Sequence, residues 1–211
     1  MNLRPIVRLA CVALSSSLLI GCALSTAKVN VGYQAQPGTK TPLSDIKPLT
    51  CALKVEDARG PMPPNRVGEK SNAFGPTGAY VEAPKDIREI IFEAVKSEFE
   101  ASGHKIVTGD TAADATLTVS VKRYWTESKV HFWDIEVLGT VSAELTVSGT
   151  QTNIPPFTRT ITGTFRSSNQ LVTDADYQKA LNGALAEFIR EMALDSQLVA
   201  DLRRREPQAL P

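Results

Sequence analysis

The chain has 211 residues, with 23 Lys and Arg set against 23 Asp and Glu and two His, so its formal net charge is zero. That balance argues against a nucleic-acid binder, which would carry a basic patch or stripe; here the only cluster of cations is Arg203-Arg204-Arg205. With 42% hydrophobic residues, the chain is long enough for one domain with a core of its own.

Arg4 and Arg8 are the only charges before an apolar segment that runs from Leu9 to Ile20. The segment falls short of the roughly 20 apolar residues that a membrane-crossing helix needs. A positive start, a short apolar stretch and small residues near a cut point instead make residues 1–21 a signal peptide. It closes on Leu19-Ile20-Gly21-Cys22, which resembles the bacterial lipobox. The resemblance implies that the Cys22 thiol receives a diacylglyceryl group, that the chain is cut before Cys22, and that the new amino group is acylated. Three acyl chains make a permanent anchor, because one chain holds marginally and two hold stably. The lipobox also brings a sorting rule, by which Asp after the Cys retains a protein in the inner membrane. Ala23 stands there, so the expected location is the outer membrane, lipid-anchored and facing the periplasm.

Cys11 leaves with the signal and Cys22 takes lipid, which leaves Cys51 at the start of the apolar run Cys51-Ala52-Leu53-Lys54-Val55. It is expected as a buried, inert thiol. With no second thiol to form a disulfide framework, the core must hold the fold.

From Cys22 to Pro48 the sequence mixes Gly32, Pro37, Gly38, Pro42 and Pro48 with Ser, Thr and Lys. It reads as a flexible tether with a root-mean-square span of roughly 25–30 Å. A single domain follows over 49–205, with a frayed tail at 206–211. Its first strand is Leu49 to Asp57, with Leu53 and Val55 on one face. Gly60 to Gly78, rich in Pro, Gly and Asn, reads as a long loop, and Gly75-Pro76-Thr77-Gly78 turns into a short strand, Ala79–Val81. Ile87, Ile90, Ile91, Ala94, Val95 and Phe99 recur at helical spacing, opened by Asp86 and stopped by Gly103.

Lys105–Val107 and a turn around Gly109 and Asp110 lead to strict alternation. Ala115, Leu117, Val119 and Val121 face one way, then Trp133, Ile135, Val137, Gly139, Val141, Ala143, Leu145 and Val147, then Ile161, Gly163 and Phe165. Such a period of two buries one face of an antiparallel meander. Thr126 to Val130 reads as the hairpin loop between the first two of these strands, and Gly139 and Gly163 mark places where a helix can come close. Thr173 with Asp176 makes an acidic capping box for a last long helix, whose stripe is Tyr177, Leu181, Ala184, Leu185, Phe188, Ile189 and Met192. A short further turn starts at Asp195 and carries Leu198, Val199 and Leu202. The order gives an α+β two-layer sandwich: a mostly antiparallel sheet with two helices packed on one face and a Thr/Ser-rich face left open.

A family resemblance rests on the lipobox Leu19 to Cys22, Val55-Glu56-Asp57-Ala58-Arg59, the helix ending near Gly103, Leu117-Thr118-Val119, and Gly163-Thr164-Phe165 through Ser168-Asn169 into the last helix. In that order and spacing the chain resembles the YajG-type lipoproteins of Gram-negative bacteria. The resemblance implies an outer-membrane lipoprotein with a periplasmic α+β domain and no established activity.

Chemistry-bearing patterns are sparse. His104 and His131 are far apart and lack the three or four ligands that zinc wants. No serine sits in a nucleophile elbow, and no glycine loop cradles phosphate. Asp134 with Glu136, and Asp110 with Asp114, read as solvated pairs, and Asp57 with Arg59 as an ion pair or turn cap. The expectation is therefore no catalytic, metal or cofactor-binding residue, and no enzyme. Tyr124, Trp125 and Phe132 form the candidate interaction surface, beside Lys122, Arg123, Lys129 and His131, while Trp133, in phase with Ile135, is expected in the core. Two functions fit. One is a non-enzymatic accessory or protein-interaction module of the cell envelope, with the membrane as one partner through Cys22 and an envelope protein as the other. The alternative is a lipid- or envelope-ligand-binding auxiliary lipoprotein of a transport system, with an apolar groove between helices and sheet.

Overall fold

The long alternating stretches build the centre of the sheet. The computed structural model describes residues 25–36, 38–72, 75–108, 113–149 and 154–206. The signal peptide 1–21, Cys22, the turn at Gly109 and Asp110, and 207–211 of the tail lie outside the described residues. Strands β1 (Ala27–Lys28), β2 (Thr50–Asp57), β3 (Arg66–Asn72) and β4 (Gly75–Glu82) precede helix α1 (Ile87–Ala101). Then come β5 (Lys105–Val107), β6 (Ala115–Val130), β7 (Ile135–Gly149), β8 (Phe157–Asn169), α2 (Asp174–Leu194) and α3 (Ser196–Arg204). The fold is α+β, with three helices on an open, mixed sheet of eight strands among the described residues.

The helices form where local signals are strongest. Asp86 caps α1 by accepting from the Arg88 amide at 2.8 Å, and Gly103, at φ +92, ends its last turn in a conformation that suits glycine. At the start of α2, the Thr173 amide and hydroxyl donate to the Asp176 carboxylate at 2.8 and 2.9 Å. All seven apolar residues of the expected α2 stripe are buried. α1 lies against β2 and β5, α2 against β7 and β8, and the two helices touch.

The sheet is mixed. β3–β4, β6–β7 and β7–β8 are antiparallel, whereas β1–β4, β2–β5, β2–β6 and β3–β6 are parallel. Alternation along β6 to β8 reports one buried face and carries no trace of the partner's direction, and β5 and β6 return parallel to β2 only after the α1 crossover. β6 pairs with β7 along one edge, while its other edge is shared: Ala115–Val121 takes β2, and Thr126 and Glu127 take β3. Asp57 and Arg59 sit where the partners change. Arg59 binds both Asp57 oxygens at 2.9 and 2.8 Å and caps the carbonyls of Pro64, Arg66 and Tyr124. The register slips there, between Val121 and Arg123.

Three expectations change. In the described part of the expected tether, Ala27, Val29, Val31, Leu43 and Ile46 are core residues; the alternation of Ala27, Val29 and Val31 was a strand signal hidden among polar neighbours. The expected loop 60–78 holds β3 and the start of β4, because β6 offers an edge that those polar residues can pair with. The expected loop Thr126 to Val130 is strand, its phase disguised by the register slip. Arg205, the last residue of the expected domain, is fully buried against Asp201, Val147 and Pro155.

Candidate interaction surface

β6 and β7 run to the pair Val130 and Ile135, and the His131 amide donates to the Asp134 carbonyl at 2.8 Å to close the turn. Chain reversal at this point frees the two middle side chains from the alternation of the strands. Phe132 is 87% exposed and Trp133 82%, and their rings meet edge to face with centroids 4.6 Å apart. Trp133 is thus surface and not core: the inward row of β7 begins only after it. Leu171, 76% exposed, follows β8 two residues beyond Asn169, which pairs with Ile135. Val130, Phe132, Trp133 and Leu171 therefore stand at one end of the sheet, and among the described residues only Leu194 of the exposed large hydrophobics lies elsewhere. Lys129 and His131 are exposed beside them.

The other residues expected on this surface separate. Tyr124 is fully buried, because the slip after Val121 turns it to the inner side opposite Val141; burial pushes its phenol well above the usual tyrosine range. It cannot meet a partner from outside. Trp125, the next residue, is half-buried beside Thr140 on the opposite face. Phe132 alone of the three is openly exposed. Val130, Trp133 and Leu171 were missed, although Phe132-Trp133-Asp134 between two alternating runs was itself a turn signal.

The titratable groups serve the fold. His104 is buried: its Nδ1 accepts from the Leu49 amide at 3.2 Å and its Nε2 faces the Leu43 carbonyl at 3.0 Å, which assigns the Nε2–H tautomer. The buried Cys51 thiol is pushed up to about 12, first by burial and then by the Asp114 carboxylate, and so is held as an unreactive thiol. Asp114 accepts from the Thr50 amide at 2.8 Å. Tyr33 donates to Glu98 at 2.8 Å, and burial with that bond raises its pKa. Among the described residues, no three His, Cys, Asp or Glu side chains gather to hold a metal ion.

A ligand groove between helix and sheet would need open space, and the seam under α2 is closed at two glycines. A Cβ on Gly139 would fall closer than 3.0 Å to the Ala180 backbone, and one on Gly163 equally close to Phe188 and Ala184. Both glycines stand where the alternation placed them.

Comparison with known proteins bears on the fold and the family. A family model described as "Uncharacterized lipoprotein" matches residues 44–203. Among solved structures, a protein from Xanthomonas campestris is similar over 84% of this chain and 99% of its own, at 12% identity and a TM-score of 0.61, a likeness of fold. A minor lipoprotein from Acinetobacter baumannii is similar over 79% of this chain and 99% of its own, at 15% identity and a TM-score of 0.38. No curated protein matches the sequence.

Proposed function

The chain belongs to the YajG-type family of uncharacterized lipoproteins, and from that membership we propose that it is exported, lipidated on Cys22 and held at the periplasmic face of the outer membrane. There it acts as a non-enzymatic interaction module of the cell envelope. No helix of the described residues is long and apolar enough to cross a membrane, so in this reading the acyl chains are the attachment.

The observation that carries the interaction role is the free edge of β8. Among the described residues its 13 residues pair only with β7, and Thr158, Thr160, Thr162 and Thr164 along it are exposed. A long unpaired edge offers backbone donors and acceptors to an extended segment of a partner. The exposed Thr and Ser side chains and half-buried Trp125 extend that surface. The seam closed at Gly139 and Gly163 speaks against the ligand-carrier alternative.

The test is photo-crosslinking in cells from position 160, on β8, against a control at exposed Glu100 on α1. A discrete envelope-protein adduct at 160 and none at 100 is the expected result. Equal labelling at both positions, or none at 160, overturns the reading.

A further inference from the structure

The register of the sheet relates the hairpin tip to the point where the chain enters the domain. Ala27, Val81, Gly68, Thr126, Gly139 and Phe165 occupy one continuous row across β1, β4, β3, β6, β7 and β8. β3 runs parallel to β6, towards the tip; β4 runs back, and β1 runs parallel to β4. The N-terminal end of β1 therefore faces the tip end of the sheet.

Heights above that row follow from strand geometry. Val130 is four residues beyond Thr126 on β6, about 13 Å at roughly 3.3 Å per residue. Cys22 is five residues before Ala27, and those residues span at most ~17 Å even if fully extended. Ala27 cannot move outward to lengthen the reach, since it is fully buried and registered with Val81. Sideways, three strand spacings separate β1 from β6, about 14 Å.

From these relations we infer that the hairpin tip is a second membrane contact, in which Phe132 and Trp133 enter the interfacial layer of the phospholipid leaflet that holds the acyl chains on Cys22. The inference rests on the lipidation of Cys22 proposed above. Acyl chains seated in a bilayer bring Cys22 to the headgroups, and the short link brings the tip end of the sheet to about the same height. Two aromatic rings exposed at that end then meet the layer in which tryptophan is enriched. Exposed Lys129 and His131 flank them at the level of the lipid phosphates. A protein partner at the tip would have to fit in a gap no deeper than the link allows. Docking also fixes the orientation: the β8 edge stands away from the surface along most of its length and stays open to the periplasm.

The test uses the lipidated protein purified from membranes and reconstituted into phosphatidylethanolamine–phosphatidylglycerol vesicles, with Trp125→Phe so that Trp133 is the only tryptophan. Mass spectrometry of the Cys22 peptide reads the anchor in the same preparation. A blue-shifted Trp133 emission that falls roughly twofold with lipids spin-labelled near the headgroup is the expected result. A version with Trp125→Tyr gives the same response, and Phe132→Ala weakens it without changing the thermal transition. A lipidated Cys22 with Trp133 still open to iodide overturns the docking and leaves the anchor standing. An unmodified Cys22 overturns both. Protection of Trp133 in intact envelopes but not in vesicles assigns the tip to a protein and overturns the inference.

Discussion

Gly163 of β8 lies directly beneath Phe188 of α2, so close that a Cβ on the glycine would stand less than 3.0 Å from the Phe188 backbone. The neighbouring obstacles are helix backbone, which cannot swing aside as a flexible side chain can. The longest helix thus docks through two glycine windows, at Gly139 and Gly163, and everything it buries depends on that approach.

Gly163→Ala is expected to destabilise the protein by about 2–3 kcal/mol, at the upper end of the cost of overpacking a core. Gly32→Ala, where an added Cβ meets nothing within 4 Å, changes little. Urea unfolding of the two variants checks the contrast, and equal midpoints would refute the tight seam.

Asp57 supplies a pH signature. Its bond to the Arg59 guanidinium, whose side chain is 2% exposed, holds its carboxyl below the usual range, against the opposing effects of burial and of the Asp86 charge. The folded pKa lies below the unfolded value of about 3.9, so on acidification the unfolded chain takes up the proton first. The stabilisation is complete above the unfolded pKa and is lost as pH falls through the folded one. The melting temperature is expected to hold from pH 7 to about 5 and to drop below about 4. Asp57→Asn costs about 1.5–3 kcal/mol at pH 7 and shallows the acid slope without abolishing it, because Asp86, lowered by Arg88, titrates in the same window. Thermal melts across pH read both effects.

Asp201 and Arg205 form a buried pair at 2.7 Å, and Arg204 also reaches Asp201, at 2.9 Å. The two partners are therefore not equivalent. Asp201→Ala strands the buried Arg205 charge and should cost about 3–5 kcal/mol. Arg205→Met should cost less, because Arg204 still answers the carboxylate. Replacing both with Leu and Met restores most of the loss, and a double-mutant cycle in guanidinium measures the coupling.

The segment before β2 is expected to be indispensable. Val29, Val31, Leu43 and Ile46 are buried, and each such side chain contributes about 1.5–3 kcal/mol, a total comparable to the 5–15 kcal/mol that holds a typical domain together. Deletion also takes the Leu43 carbonyl from His104. A fragment starting at Leu49 should lack a cooperative melt that one starting at Ser25 retains, and calorimetry of the pair decides.

Legibility followed the range of the interactions. Ile87 to Gly103 and Thr173 to Met192 were readable because caps and a 3.6-residue period act within a few neighbours. Gly139 and Gly163 were readable because alternation placed two residues without side chains on an inward row. β3 was not, since Val67 is its one fully buried apolar residue and its strand character comes from the edge of β6. Tyr124 was not, because a single slipped residue inverts every side chain after it, and neither was the exposure of Trp133, because the alternation of β7 ends before it.

Sequence by itself determined the Leu-Ile-Gly-Cys motif, the two long helices, the alternating strands and the ion pair of Asp57 with Arg59, all set by residues close in the chain. Only the tertiary structure decided the parallel pairings, the burial of Ala27 through Ile46, the exposure of Phe132 with Trp133, and the shared end of the sheet on which the chain's entry and the hairpin tip both lie. Those depend on which distant strand completes an edge, and the free energy of that choice belongs to the assembled sheet and to no one segment.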